Sequence, residues 1–314
     1  MVAMHTLIAQ SLSSVTLGTP ATVDALTMFP LLGPPASEQE PFYLALDQAL
    51  GDGWAEVTEI SEQGSVPQLL VRNKAPRPVF ILDGEELVGA KQNRVVNLSI
   101  LVPAHAVLTI PVSCVEAGRW RTRSRAFSAA PRTQYAAGRA SRMSQVTMAL
   151  RTSGDRHSDQ AEVWADIAGK SERLGASSPT GAMEEIFAVH AEFIDRCVAS
   201  LGPVARQCGA LFLIEGRVVG FDLFDSAVTL RRLLAKLVRG VAVDVLDRTA
   251  GRAFVSPALQ VKVAEGFLST VQATPVHESG ALGLGRDLRL VAPHITGAAL
   301  EHEQSVVHLA AFAS

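Results

Sequence analysis

The stretch DGEELVGAKQNRVVNLSILVPAHAVLTIPVSCVEAGRW, residues 83–120, places polar side chains inside two otherwise apolar strand patterns. Burying a polar or ionisable group without a partner costs several kcal/mol. These side chains are therefore expected to converge on one another or on a ligand. The stretch predicts a site built on strands. Its polar members are Glu85, Glu86, Lys91, Gln92, Asn93, Arg94, Asn97, Ser113, Cys114, Glu116 and Arg119.

Short apolar or alternating runs separated by Gly, Pro, Asn and Asp surround this stretch throughout residues 1–120. That pattern predicts a β-sandwich or roll. Residues 180–314 mix helical and strand patterns, including a hairpin at 210–225 with Glu-Gly as its turn. Because strands both open and close the chain, the last strands are expected to complete a sheet begun elsewhere. The prediction is an α+β fold, with a β-rich N-terminal core packed with a helical and β C-terminal half.

The main helices are predicted from apolar periodicity and capping residues. They cover residues 41–50, 181–202 and 227–246, and Asp225 or Ser226 is expected to cap the last of these.

The domain organisation follows from the lack of a clean linker. A single α+β domain over residues 1–314 is predicted, with a sub-division into a β-rich half (1–120), an Arg-rich connecting segment (121–179) and an α+β half (180–314).

The composition excludes several classes of protein. With 314 residues, of which 48% are hydrophobic, the chain has ample material for a core and is not predominantly disordered. No apolar run is long enough to cross a membrane as a helix, and the N-terminus resembles neither a secretory signal nor a transit peptide. Three cysteines at unrelated spacings fit neither a disulfide framework nor a zinc motif. A cytoplasmic protein without a membrane partner is predicted.

Eight arginines, with no lysine and no acidic residue, lie between residues 117 and 154. The net charge of the whole chain is only −3, and arginine outnumbers lysine by 23 to five, so composition bias explains much of this cluster. Direct nucleic-acid binding is therefore not favoured. A flexible solvated segment and a lid or protein-partner contact are the two readings left open.

The candidate acid and base groups are Glu85, Glu86 and Glu116. Two carboxylates whose pKa values differ because of burial or mutual repulsion can donate and accept protons near neutral pH. The alternative is that Glu85 and Glu86 lie in a turn and form ordinary ion pairs with Lys91 and Arg94.

The candidate substrate-binding residues combine cations with amides. On a strand, side chains two residues apart point to the same face, which groups a cation with an amide and suits phosphate or carboxylate recognition. The structural alternative is that a buried Arg94 bridges Glu86 and only stabilises the hairpin. The set is Lys91, Gln92, Asn93, Arg94, Asn97 and Arg119.

Cys114 is a candidate nucleophile, activated by Lys91 or Arg119, although buried cysteines more often serve as small apolar fillers. Cys197 and Cys208 are expected in the core. The histidines do not have the spacing of the HExxH zinc motif, so no metal is predicted and the cofactor question stays open.

Four strings in this chain carry a family resemblance: PVFILDGEELVGAKQNR, IPVSCVEAGRW, IEGRVVGFDLF and GLGRDLR. Together they resemble the ARG-and-rhodanese-phosphatase-superfamily-associated protein domain, a prokaryotic family named for its neighbours, an ADP-ribosylglycohydrolase and a rhodanese-like phosphatase. The resemblance covers most of the chain and implies a cytoplasmic partner in handling NAD-derived or ADP-ribose-containing molecules.

Combining that implication with the candidate residues gives three functional hypotheses. The first is an enzyme or accessory enzyme that hydrolyses a glycosidic or phosphoester bond in an ADP-ribose-like or NAD-derived nucleotide. The second is a non-catalytic sensor of the same nucleotides. The third is an interaction module whose Arg-rich segment, residues 117–154, contacts a partner protein.

Overall fold

The computed structural model describes residues 6–248 and 256–313, and all structural statements concern this part of the chain. Its α-helices are α1 (Thr6–Ser13), α2 (Leu46–Gly51), α3 (Ala136–Thr152), α4 (Gln160–Arg173), α5 (Glu184–Val189), α6 (Ala191–Ser200), α7 (Ala227–Leu246) and α8 (Pro257–Ala273).

The first twelve strands lie before α3. They are β1 (Thr16–Leu17), β2 (Ala21–Val23), β3 (Leu26–Leu32), β4 (Leu44–Ala45), β5 (Ala55–Glu59), β6 (Gln68–Asn73), β7 (Val79–Ile81), β8 (Glu85–Gly89), β9 (Arg94–Val96), β10 (Ile100–Val102), β11 (Val107–Cys114) and β12 (Phe127–Thr133). The remaining strands are β13 (Gln207–Ile214), β14 (Arg217–Phe224), β15 (Val276–Gly280), β16 (Arg286–Ala292), β17 (Ile295–His302) and β18 (Ser305–Ala313). This mixture of segregated strands and helices confirms the α+β prediction.

Two compact units make up the described chain. Unit 1 comprises the described residues up to Pro41, those from Phe193 to Ala281 and those from Gly285 onward. Unit 2 comprises Phe42–Glu192 and Leu282–Leu284. The unit boundaries therefore fall near residues 41 and 192, whereas the sequence suggested sub-divisions at 120 and 179. Whether the whole chain acts as a single domain stays a prediction.

Unit 1 contains a nine-stranded antiparallel sheet in the order β1-β3-β13-β14-β18-β17-β16-β15, with β2 paired to β3. The N-terminal β3 pairs directly with β13, so the first and last strands of the chain share a sheet, as expected from the sequence. The turn between β13 and β14 has Glu215 and Gly216 at positive φ, as a tight hairpin of this twist requires. The α7 helix begins after Ser226, whose hydroxyl accepts a hydrogen bond from the N–H of Val228.

Unit 2 contains a six-stranded sheet in the order β12-β8-β9-β11-β6-β5 and a three-stranded sheet in the order β10-β7-β4. An antiparallel bridge between Thr58 and Ala126 joins the two outer strands, so the larger sheet curls into a barrel-like ring. Apolar side chains such as Val57, Leu69 and Val71 enter its hydrophobic core. Alternate residues of β5 and β6 therefore face away from that core.

Local structure differs from the sequence-based predictions in several places. The predicted helix over 41–50 is reduced to α2, because the preceding Leu44 and Ala45 pair in parallel with β7. The helix predicted over 181–202 is interrupted at His190, which divides α5 from α6.

The Arg-rich segment is ordered over most of its length, which overturns the reading as a flexible solvated segment. Residues after Ala126 form β12, and α3 follows it directly. The sequence did not indicate α3 because buried arginines on its inward face erase the usual apolar periodicity.

Within the described residues, no helix combines the length and the apolar character that crossing a membrane requires.

Two glycine substitutions in unit 1 test the backbone geometry of this fold. Gly285 has a φ of +95°, and a Cβ there would come within 2.0 Å of the carbonyl oxygen of Glu301. We expect Gly285→Ala to lower the urea midpoint of unfolding strongly. Gly266 lies inside α8 with open space around it, so Gly266→Ala should instead raise stability by about 0.5–1 kcal/mol. Equal effects of the two substitutions would contradict the described backbone.

Candidate functional site

Buried carboxylates pair with buried arginines in unit 2. The carboxylates lie on or beside strands β8 and β11, as the sequence predicted, and each is buried to 1% exposure or less. Their partners are four of the eight arginines in segment 117–154, and these four are also buried. The pairs and triads are Glu116–Arg119, Glu86–Arg132 and Asp83–Arg139–Arg142.

Glu116 is held by Arg119 from the same loop. Arg119 reaches one carboxylate oxygen with Nε at 2.8 Å and Nη2 at 2.7 Å. The N–H of Asn93 donates to the same oxygen, and the hydroxyl of Thr180 donates to the other. Burial alone would raise the pKa of Glu116, but these hydrogen bonds outweigh it and the pKa is lowered. Glu116 is therefore ionised at neutral pH.

Glu86 lies in a more enclosed environment. Its carboxylate accepts a hydrogen bond from Arg132 Nε at 2.5 Å and is approached by the amide of Asn93 at 3.5 Å. That amide nitrogen also lies 3.4 Å from Glu184, a partly exposed residue that lies 3.4 Å from Arg132 as well. Burial raises the pKa of Glu86, and the Arg132 charge offsets this only in part. Glu86 and Glu184 thus form a carboxylate pair in which one member is buried and the other meets solvent.

Asp83 joins the turn before β8 to helix α3. Its two oxygens accept from Arg139 Nε at 3.2 Å and from Arg142 Nη2 at 2.8 Å. Gly84 follows at a φ of +78°, and a Cβ there would meet the Arg139 side chain at 2.8 Å. The glycine therefore allows the arginine to cross the turn closely.

Arg94 is fully buried without an acidic partner among the described residues. Its Nη1 donates to the Gln92 side-chain oxygen at 2.9 Å, while Nε and Nη2 have no hydrogen-bond partner. The Cys114 thiol donates to the same Gln92 oxygen at 3.2 Å. Burial raises the pKa of Cys114 despite the nearby Arg94 charge, so the resting thiol is neutral.

Asn97 anchors the loop between α3 and α4. Its side-chain oxygen accepts from the Ser113 hydroxyl at 2.6 Å, and its amide donates to the Arg156 carbonyl at 3.1 Å. Gln160 exchanges hydrogen bonds with the backbone of Cys114, at 2.8 and 2.9 Å. These contacts connect β11 to the loop between α3 and α4 and to the start of α4.

A cavity of about 660 Å³ lies on the outward face of β5 and β6. Its floor consists of two cross-strand pairs, Glu56 with Arg72 and Thr58 with Leu70. The loop after β5, the turn before β9 and the loop before β12 form its walls. The wall residues are Glu59, Ser61, Glu62, Ala90, Lys91, Thr122, Ser124 and Arg125. The lining therefore combines three carboxylates, three cations and four hydroxyls.

The structure places all the predicted site residues in unit 2, but they do not line one cavity together. Lys91 lines the cavity over β5 and β6, where its Nζ also donates to the Gln63 carbonyl at 2.8 Å. The other nine are not among the residues that line it: Glu85, Glu86, Gln92, Asn93, Arg94, Asn97, Cys114, Glu116 and Arg119. All nine are buried.

Two structural alternatives from the sequence are corrected by these contacts. The ion-pair partner of Glu86 is Arg132, so Arg94 does not bridge Glu86. Residues 91–93 lie in a turn between β8 and β9, so strand alternation does not govern them. Gln92 nevertheless contacts Arg94, because the turn folds its side chain back over the start of β9.

Sequence reasoning missed five members of this set of contacts: Asp83, Arg132, Arg139, Arg142 and Glu184. The signal was present for the arginines, since segment 117–154 contains no acid that could pair with them locally. The ion-pair partners of these arginines therefore had to lie outside the segment. The carboxylates within residues 83–116 had no assigned partners and could have been matched with them. Glu184 had no such signal, because it reaches the site only through the tertiary fold.

Among the described residues, no group of three or more His, Cys, Asp or Glu side chains has a geometry that could hold a metal ion.

A family model described as the ARG and Rhodanese-Phosphatase-superfamily-associated Protein domain matches residues 14–312, nearly the whole chain. The chain belongs to this family. The resemblance drawn from the four sequence strings is thereby confirmed. The family name records an association with other proteins and states no reaction. No curated protein and no solved structure matches the chain.

Removing the charge of Asp83 should destabilise unit 2 severely. Asp83→Asn leaves two buried guanidinium groups without a counter-charge, which typically costs about 3–5 kcal/mol. We expect a correspondingly lower urea midpoint. Lys74→Met is the control, since Lys74 forms a solvent-exposed ion pair with Glu56 at 3.5 Å and such pairs contribute at most about 1 kcal/mol. A loss below 1 kcal/mol in Asp83→Asn would show that the arginines find other compensation.

Glu116 should contribute to the pH dependence of stability. Its folded pKa lies below the ordinary 4.5, so the unfolded state binds more protons between these two values. Its contribution is therefore fully present above about pH 4.5 and is lost as the pH falls through the lowered pKa. We expect the difference in unfolding free energy between wild type and Glu116→Gln to shrink over that interval. A difference that does not change with pH would contradict the ion pair.

Proposed function

We propose that unit 2 binds an anionic, nucleotide-like small molecule in the cavity over β5 and β6. The observation that carries the proposal is the lining of this cavity, in which ten of the twelve residues have a charged or hydroxyl side chain. Its volume of about 660 Å³ falls within the range of small-molecule sites. Arg72, Lys91 and Arg125 supply the positive charge that phosphate groups require.

The mixture of charges favours a sugar phosphate over a simple polyanion. Carboxylates repel phosphate but accept hydrogen bonds from ribose hydroxyls, as acidic residues do in many nucleotide sites. Glu56, Glu59 and Glu62 can accept hydrogen bonds from the ribose hydroxyls. Hydroxyls such as those of Thr58 and Ser124 can hydrogen-bond either the phosphate or the ribose. An ADP-ribose-like or NAD-derived nucleotide has both kinds of group.

Sensing is favoured over hydrolysis by the state of the predicted acid and base groups. Glu86 and Glu116 are engaged by Arg132 and Arg119, and neither lines this cavity. The lowered pKa of Glu116 disfavours proton donation at neutral pH. A non-catalytic sensor needs only the binding groups.

A hydrolase acting on the same nucleotides is the second candidate. The observation that favours it is the carboxylate pair of Glu86 and Glu184, which differ in burial and share contacts with Asn93 and Arg132. The raised pKa of Glu86 suits a general acid. Such an enzyme would place the scissile bond at this pair.

A protein partner at the Arg-rich segment stays a further proposal. Four of its arginines are exposed, namely Arg121, Arg123, Arg125 and Arg151. They remain available to an acidic partner surface.

Ligand binding can be tested with two neighbouring arginines of one loop. We expect ADP-ribose to bind wild type in calorimetry and to stabilise it by about 2.7 kcal/mol at a hundredfold excess over Kd. Arg125→Ala should weaken binding by about 10- to 100-fold, because a hydrogen bond to a charged group contributes roughly 1.5–3 kcal/mol. Arg123→Ala removes an equally exposed charge that does not line the cavity, and should leave Kd unchanged.

The binding proposal fails if neither ADP-ribose nor related nucleotides and sugar phosphates bind wild type. Equal weakening by the two alanine variants would assign the effect to long-range charge and not to the cavity.

Turnover distinguishes the sensor from the hydrolase. If ADP-ribose or an NAD-derived nucleotide is hydrolysed, Glu86→Gln should lower kcat by about 10²- to 10⁴-fold with little change in Kd, because it removes a transferable proton. Cys114→Ser is the control, since the neutral buried thiol has no part in this mechanism and its replacement should leave turnover intact. A sensor would show ligand binding and no turnover in any variant. Loss of turnover in Cys114→Ser alone would instead indicate nucleophilic catalysis.

A further inference from the structure

One edge of the Arg94 guanidinium has N–H groups without a hydrogen-bond partner inside unit 2. The side chain is 0% exposed, and the two nitrogens without a partner are Nε and Nη2. In a guanidinium group these two N–H donors lie side by side and form the fork that binds oxyanions bidentately. The remaining nitrogen, Nη1, is occupied by Gln92.

The unpaired state of Arg94 distinguishes it from the other buried arginines in the described chain. Arg119, Arg132, Arg139, Arg142 and Arg289 each form an ion pair with a carboxylate. Arg94 forms none with any described residue. Burial lowers the pKa of Arg94, and the charges of Glu59 and Glu116 offset this only in part. A buried guanidinium without an ion-pair partner is costly, so stability does not explain why the fold keeps one here.

A second unused donor lies at the same place. Trp164 lies beside the Cys114 thiol and acts to lower its pKa, yet its buried Nε1 makes no well-formed hydrogen bond. Cys114 and Arg94 share the Gln92 oxygen as an acceptor, which brings the thiol and the guanidinium together. The thiol thus lies beside the indole of Trp164 and is linked to the guanidinium of Arg94 through Gln92, and these two side chains carry three buried N–H groups without acceptors.

We propose that Arg94 and Trp164 form a site for a small tetrahedral oxyanion of the phosphate class, held beside Cys114. The Arg94 fork binds two oxygens of the anion, and the indole N–H of Trp164 binds a third. A planar carboxylate satisfies the fork but has no third oxygen for the indole, so phosphate is favoured over acetate.

Trp120 is the exposed side chain next to this site. Its ring lies 5.8 Å from the Arg94 guanidinium carbon and 5.3 Å from Lys91 Nζ, and it is 48% exposed. On this proposal, the anion enters past the exposed ring of Trp120. The site is separate from the cavity over β5 and β6, which neither Arg94 nor Trp164 lines.

The first test uses wild-type protein and inorganic phosphate. At constant ionic strength, phosphate should bind with a saturable calorimetric signal and raise Tm, while chloride does neither and acetate binds at least tenfold more weakly. No binding of phosphate would overturn the proposal, and equal binding of acetate would overturn the assignment to a tetrahedral oxyanion. Either result is independent of ADP-ribose binding at Arg125.

The second test exploits the sign of a stability change. Arg94→Met removes an uncompensated buried charge, so Tm without phosphate should stay equal or rise while phosphate binding is lost. Arg142→Met is the matched control: it removes a fully buried arginine that pairs with Asp83, so Tm should fall and phosphate binding should persist. Phosphate binding retained in Arg94→Met would contradict the site, and so would a fall in Tm equal to that of Arg142→Met.

A third pair of variants keeps the proposal testable even if Arg94→Met does not fold. Trp164→Phe retains the ring and removes one N–H donor, so phosphate affinity should fall about tenfold. Trp54→Phe alters a half-exposed tryptophan of the same unit and should leave affinity unchanged. Unchanged affinity in Trp164→Phe would exclude the indole as a ligand and overturn the proposed geometry.

Discussion

Charge compensation between strand carboxylates and the arginines of the following segment is the constraint on which unit 2 depends. Asp83, Glu86 and Glu116 are buried to 1% exposure or less, where a lone carboxylate could not remain ionised. Each is neutralised by segment 117–154, in which Arg119 lies in the loop after β11, Arg132 on β12 and Arg142 on α3. Because removing either member leaves a buried charge, the barrel-like sheet and the helix that closes on it are linked energetically. The packing of α3 thus combines ion pairs with buried apolar side chains such as Met143, Val146 and Leu150.

This linkage gives the Arg-rich segment two different roles along one stretch of chain. Arg119, Arg132, Arg139 and Arg142 are inward and structural, whereas Arg121, Arg123, Arg125 and Arg151 are exposed. Of the exposed arginines in the loop before β12, Arg125 lines the cavity over β5 and β6, together with carboxylates and hydroxyls. The same loop is therefore fixed at its start by Arg119 and exposed at its end. A rigid base and an exposed tip are what the proposed ligand binding requires of this loop.

Much of the fold could be predicted from sequence because its elements follow local rules. The hairpin at Glu215–Gly216 and the cap at Ser226 depend on neighbouring residues only, and both were predicted. Helix α3 was not predicted, because its inward face carries Arg139 and Arg142. A search for apolar periodicity counts these arginines as exposed residues. For the same reason the density of polar residues in 83–120 did not indicate which groups would pair, although most of these residues are buried in contact with other polar groups. Pairing is set by the tertiary fold, which brings Arg132 to Glu86 and Glu184 to Asn93.

Arg94 is the exception to this charge compensation, because no carboxylate forms an ion pair with it among the described residues. The fold supplies a carboxylate to every other buried arginine of the described chain, and it does so even for two arginines at the single Asp83. Arg94 instead contacts the Gln92 amide oxygen, which also accepts from the neutral Cys114 thiol, and the Trp164 indole lies beside that thiol. An apolar side chain of similar size would fill this position at lower cost, so stability does not account for the arginine. A guanidinium fork kept dry and unpaired is the arrangement that binds an anion strongly, because the cost of desolvating the cation has already been met by the folding of the protein.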